Sequence, residues 1–197
     1  SDSEVWIDLK SDMNHIVIVS ASMRTGRNSH RMALFFKNYL EENNLAEPEI
    51  LDLAAYNFPL FEERLRYLAS PPAGATEFAG KIKSAQGIIM VVPEYNGGYP
   101  ASLKNAIDLL IDEWRHKPVA LVAVSDGPFG GTQVITQLQF VLWKLGAYVI
   151  PSRFQVANVI ANFDDKGIPA DRQSVDKRAS SFIAELLDCI AVNIAKH

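Results

Sequence analysis

Two arginines, Arg24 and Arg27, and the short polar residues Ser20, Ser22, Thr25, Asn28 and Ser29 crowd into residues 20–29. An apolar run at 16–19 precedes them and a helical apolar pattern follows. The segment is therefore expected where a strand hands over to a helix. A loop of that kind exposes backbone N–H groups and the positive end of the helix dipole, which suits an anion. Guanidinium groups and hydroxyls beside those N–H groups suit a dianionic phosphate better than a neutral ligand. The expected chemistry is capture of a phosphorylated small molecule. A plainer reading, a residue capping the helix that begins near Asn28, needs one side chain and no arginine pair.

Other chemistries find less support. His15, His30, His116 and His197 show no metal-ligand spacing. There is no G-x-S-x-G turn, so neither Ser22 nor Ser29 is expected to be an activated nucleophile. Cys189, the only cysteine, excludes an internal disulfide framework and sits in an apolar helical pattern, where an inert packing role is expected. Residues 164–167, Asp-Asp-Lys-Gly, lack the spaced carboxylates and closing glutamate of a calcium loop and read as a turn. A receiver domain needs acidic residues at the end of its first strand, where this chain has Ser20 and Ala21.

The 197 residues fit one domain with a sizeable core, and a hydrophobic share of 48% argues against disorder. A net charge of −4 argues against a nucleic-acid surface. No apolar run is long enough to span a bilayer. Residues 1–12 lack a basic end followed by an apolar block, so no secretory signal is expected, and the expected compartment is the cytoplasm. Residues 1–13 read as an N-terminal extension and 14–197 as the folded domain.

The elements that must position the loop follow from the apolar pattern. Residues 16–19, 88–92 and 119–124 are continuous apolar runs rich in β-branched side chains, as in parallel strands buried on both faces. Residues 50–53 and 148–150 read as shorter strands. Helical stripes alternate with them: Met32, Phe35, Phe36, Tyr39 and Leu40; Val134, Leu138, Val141, Leu142 and Leu145; Ile183, Leu186, Leu187, Ile190 and Ile194. This alternation predicts a doubly wound α/β domain. With strand order 2-1-3-4-5, the loops at 20–29, 93–100 and 125–131 face one crevice outside the carboxyl ends of the strands. The second and third loops are rich in Gly and Pro and suit a flat polar ring held through main-chain groups. Gly97-Gly98 and Gly130-Gly131 also read as ordinary turns.

Three segments together resemble the NADPH-dependent FMN reductase family: S-M-R-T-G-R-N-S at 22–29, P-E-Y-N-G-G-Y-P-A-S-L-K-N-A-I-D at 93–108 and S-D-G-P-F-G-G at 125–131. The resemblance extends over residues 14–145, and 162–167 is similar to the family's loop before its last helix. It implies a flavodoxin-like three-layer α/β sandwich with a five-stranded parallel sheet. It implies FMN as bound cofactor, NADPH or NADH as reductant, and a small acceptor such as a quinone taking the nicotinamide's place in ping-pong order. It assigns Ser22, Arg24, Asn28 and Ser29 to the FMN phosphate, with Arg27 beside them at a position where many members carry a small residue. Pro93, Glu94, Tyr95, Asn96 and Gly97 would lie along the isoalloxazine ring, with Ser125 and Gly127 at its pyrimidine side. Tyr95 and Tyr99 either line the face open to the acceptor or cover a subunit boundary.

The resemblance also implies a homodimer or homotetramer. The contact is expected on the apolar face of Leu103, Ile107, Leu110, Ile111 and Trp114 and on the helix at 132–145, although the first set also suits an internal core. Lys104 and Asp108 read as a helix-surface pair or as part of that contact. No nucleic acid or membrane is expected as partner. A flavodoxin-like electron carrier and a flavin-binding regulatory module are the alternatives. Direct oxidation of NADPH separates the carrier from the enzyme.

Overall fold

The computed structural model describes residues 13–196. The expected N-terminal extension, Met13 apart, and His197 lie outside the described residues. The chain runs through strands β1 (His15–Ser20), β2 (Glu47–Asp52), β3 (Gly87–Pro93), β4 (Pro118–Val124) and β5 (Tyr148–Val156). Between and after them lie helices α1 (His30–Glu42), α2 (Leu53–Tyr56), α3 (Ala75–Ser84), α4 (Ala101–Leu109), α5 (Thr132–Lys144), α6 (Val159–Asn162) and α7 (Arg172–Lys196). All strand pairs are parallel, in the order β2-β1-β3-β4-β5. The order reverses between β1 and β3, so their following loops open the crevice.

The two-residue period of a strand divides the apolar runs between two cores. Val17, Val19, Ile88, Met90, Val92, Val119 and Leu121 face α3, α4 and α5. Ile16, Ile18, Ile89, Val91, Ala120 and Val122 face α1 and α7. Every residue of β3 and of β4 is buried, as a sheet covered by helices on both sides requires. On the α1 side Phe35, Phe36, Phe154 and Phe182 pack as aromatic pairs with centroids 5.0–6.4 Å apart.

Three local expectations change. The last strand extends well beyond residue 150. Its ladder is irregular between the pairs Val119–Val149 and Leu121–Arg153, and Pro151 falls in that interruption. Glu185 of α7 accepts the Ser152 N–H there and also bonds its hydroxyl, holding the bulge in the sheet. At the end of α7 the stripe runs out, and Ile194 is exposed. The apolar face after Pro100 belongs to the internal core: Leu103, Ile107, Leu110 and Trp114 are buried within the chain, and the Trp114 indole donates to the Ile107 carbonyl at 3.1 Å. Lys104 and Asp108 form the expected i,i+4 pair at 2.7 Å. Among the described residues no helix is long and apolar enough to cross a membrane, and no group of side chains is arranged to hold a metal ion.

Candidate functional site

The loop between β1 and α1 is held at its start. The Ala21 N–H donates to the Val91 carbonyl at 3.1 Å, and Ser102 at the start of α4 donates to the Ala21 carbonyl at 2.6 Å. Ser22 is buried, and its Oγ lies 2.7 Å from the Tyr95 hydroxyl, which joins this loop to the one after β3. Arg27 donates to the Ser22 carbonyl at 2.8 Å and forms a two-pronged ion pair with Asp52, at the end of β2. Asp52 also caps α2 by accepting the Ala54 N–H at 3.0 Å. Burial opposes ionisation of Asp52, but the Arg27 bond, the Ala54 N–H and the Arg27 charge outweigh it and hold the carboxyl below its ordinary range. The arginine offered to an anion by the sequence is thus already engaged, and it ties the loop to the neighbouring strand.

Arg24 and Ser29 differ from it. Arg24 is exposed and has no carboxylate partner among the described residues; its guanidinium lies 5.7 Å from the centroid of the Tyr95 ring. Ser29 occupies the N-cap position of α1, yet its backbone is helical and its side chain makes no capping bond. Its Oγ is buried and has no hydrogen-bond partner among the described residues. Helix capping therefore does not account for Ser29. A buried hydroxyl without a partner is costly unless something from outside the chain meets it. Beneath the loop, His30 Nδ1 lies 2.8 Å from the buried Ser20 Oγ. Burial, then repulsion from Arg27, pushes the His30 pKa below its ordinary value.

The second loop turns tightly. Tyr95 and Gly98 exchange both backbone hydrogen bonds, at 2.8 and 3.0 Å. The two residues between them, Asn96 and Gly97, have φ of 51° and 77°. Positive φ at both positions is the type I′ geometry that Asn-Gly favours. The turn docks on α5, where Gln137 donates to the Gly97 carbonyl at 2.7 Å. A Cβ on Gly97 would lie 2.5 Å from the Gln133 side-chain oxygen. The need for glycine here comes from the positive φ of the turn, since the end of the flexible Gln133 side chain can shift. Glu94, just before the turn, accepts the backbone N–H groups of Gln133 at 2.9 Å and Val134 at 3.1 Å.

In the third loop Ser125 bonds within its own turn. Its hydroxyl donates to the Gly127 carbonyl at 2.8 Å and accepts the Gly130 N–H at 3.1 Å, while its N–H donates to Val156 at 2.9 Å. The N–H groups of Asp126 and Gly127, one and two residues beyond Ser125, have no protein partner among the described residues. Gly131 begins α5 with φ of 72°, and a Cβ there would lie 3.0 Å from the Ala123 Cβ on β4. The positive φ favours glycine, and a side chain here would also crowd the strand by a few tenths of an ångström.

A cavity of about 250 Å³ opens between the three loops. Ten of the twelve residues singled out from the sequence line it: Ser22, Arg24, Arg27, Asn28 and Ser29; Pro93, Glu94 and Tyr95; Ser125 and Gly127. Asn96 and Gly97 do not. Asp126 also lines the cavity, and its place between Ser125 and Gly127 is the signal for it. Cys189 packs against the α1–α7 core, and burial raises its thiol pKa, as expected of a packing residue.

A family profile described as NADPH-dependent FMN reductase matches residues 14–160. An NAD(P)H-dependent FMN reductase of Saccharomyces cerevisiae is 34% identical over 146 residues, 68% of this chain and 75% of that protein. A quinone reductase of Escherichia coli K12 is 33% identical over 121 residues, 59% of this chain and 62% of its own length. The solved structure of FerB, a flavoenzyme NAD(P)H:(acceptor) oxidoreductase of Paracoccus denitrificans, shares the fold with a TM-score of 0.74 at 20% identity. The match covers 91% of this chain and 98% of that one.

Proposed function

The chain belongs to the NADPH-dependent FMN reductase family, and on that premise we propose that its crevice cavity holds FMN with the phosphate at the β1–α1 loop. The observation that carries the placement is the buried Ser29 hydroxyl without a partner, at the start of α1 and lining the same cavity as the uncommitted Arg24. A phosphate monoester supplies the acceptors that both lack. Ser22 and Asn28 line the same end. Bound FMN supplies the redox chemistry, accepting hydride from NAD(P)H and passing electrons to an acceptor. The chain itself binds and orients. Arg27 and Asp52 hold the phosphate loop in shape. Asp126 and Gly127 line the cavity, and their N–H groups, without a protein partner among the described residues, would serve as donors to an electron-rich ring edge.

Reductant and acceptor would use this one cavity in turn, which predicts ping-pong kinetics. The quinone reductase name of the E. coli relative supports a flat electrophile as acceptor. Anaerobic mixing of the FMN-loaded protein with NADPH, followed by a panel of quinones and azo dyes, tests the reading. Bleaching of the flavin and its reoxidation by a quinone are expected. Failure of NADPH to bleach it would favour an electron carrier. Intersecting rather than parallel reciprocal plots would remove the shared cavity.

We also infer a homo-oligomer, through α5 rather than through the apolar residues following Pro100. Phe140 and Trp143 on α5 are 62% and 67% exposed, with ring centroids 5.8 Å apart. Aromatic surface of this kind on a helix beside a site suits a subunit contact. Light scattering at micromolar concentration checks it; a monomer would refute it.

A further inference from the structure

We propose that Glu94 is a positioning residue, a clamp that sets the distance between two walls of the crevice by capping α5 from the loop after β3. The helix cannot cap itself: its N-cap is Gly131, which has no side chain. The Thr132 hydroxyl is turned to the Phe129 carbonyl at 3.1 Å. The first N–H groups of a helix are left without partners by helix geometry. Here one carboxylate oxygen from a residue 39 and 40 positions away takes two of them, Gln133 and Val134. The negative charge lies at the positive end of the helix dipole, where it is favoured.

The clamp acts on both walls. On one side Glu94 follows Pro93, the last residue of β3, and precedes the Tyr95–Gly98 turn. On the other, the held amides begin the helix that follows the 125–131 loop. Gln137, one turn further along α5, donates to the Gly97 carbonyl and makes a second tie in the same direction. Glu94 also lines the cavity, so its carboxylate is directed at the helix from the site itself. In this arrangement one carboxylate oxygen of Glu94 holds the β3 loop and the start of α5 in register.

The effect on flavin rests on the proposed function, whereas the clamp does not, and the experiment separates them. Backbone hydrogen exchange is measured on the apo protein for wild type, Glu94→Ala and Glu94→Gln, and FMN and riboflavin are titrated into each. In Glu94→Ala the Gln133 and Val134 amides should exchange about fivefold faster or more, as for a lost helix cap. FMN and riboflavin should both weaken by a similar factor, because the walls and not the phosphate end are disturbed. Glu94→Gln keeps one acceptor oxygen without the charge and should recover part of both effects; it also serves if Glu94→Ala does not fold. Unchanged exchange at Gln133 and Val134 would overturn the clamp. Faster exchange with both flavin affinities intact would overturn its role in spacing the walls. A wild type that binds neither flavin, with exchange still altered by the variants, would keep the clamp and reject the proposed function instead.

Discussion

At the β1 end of the cavity Arg24 has no carboxylate partner, and the buried Ser29 hydroxyl no hydrogen-bond partner, among the described residues. At the β3–β4 end three polar side chains are already joined to backbone: Glu94 to α5, Gln137 to Gly97, Ser125 to Gly127 and Gly130. On the proposed function the first region meets a ligand that brings its own acceptors, while these three side chains of the second hold the walls. Residues of similar type, picked out by the same reading of a sequence, then divide into ligand-facing groups and groups that hold the walls.

The sharpest test of that division is Arg24→Ala. A charge-assisted contact contributes roughly 1.5–3 kcal/mol, so FMN affinity should fall by about one to two decades while riboflavin barely changes. Parallel titrations of the two flavins check it, and equal losses would move the phosphate elsewhere. Arg27→Ala should behave differently, although the two arginines are three residues apart in sequence. It leaves Asp52, about one-fifth exposed, without its partner, so the protein should lose about 1–3 kcal/mol of stability by urea unfolding. FMN and riboflavin should then weaken together, through the loosened loop. A loss confined to FMN would make Arg27 a phosphate ligand after all.

How much of this was legible beforehand depends on the distance between partners. Strand identity is legible because β1, β3 and β4 are unbroken apolar runs between turn signals, whereas such runs do not carry the order in which the strands pair. β5 was cut short because Pro151 and the polar residues after it look like a strand end, and the tie that keeps the strand going comes from Glu185 on another helix. Of the site, the residues that meet at the cavity were readable as motifs. Their division of labour was not. Arg27 is taken by Asp52 from a different strand, and Glu94 by amides 39 and 40 residues later. No local pattern marks either pairing. Gly97 and Gly131 could be read as glycines with a purpose, but only the structure shows that a positive φ is what favours glycine at both.

A smaller effect is expected at Ser29. Ser29→Ala removes a hydroxyl that has no partner in the unliganded chain, so apo stability should be unchanged or slightly raised. FMN affinity should drop about threefold to tenfold, the worth of one hydrogen bond. Lost apo stability with unchanged FMN affinity would return Ser29 to a structural role.

The smallest effect is one of pH. The folded chain holds His30 below its ordinary value of 6.5, by burial and by repulsion from Arg27. Between the two values the unfolded chain binds a proton that the folded chain resists, so stability rises with pH across that window. Urea midpoints should be level above about pH 7.5 and fall as the pH drops through about 6.5. His30→Gln should flatten that fall, and an unchanged slope in the variant would assign it to another group.

The central claim, that the β1–α1 loop is a phosphate site, is tested most directly by calorimetric titration of the apo wild-type protein with FMN and with riboflavin under the same conditions. The two ligands share ring and ribityl chain and differ in the phosphate alone. With Arg24, Ser29 and the α1 N-terminus all engaging it, FMN should bind at least about a hundredfold more tightly than riboflavin. Equal affinities would contradict the claim.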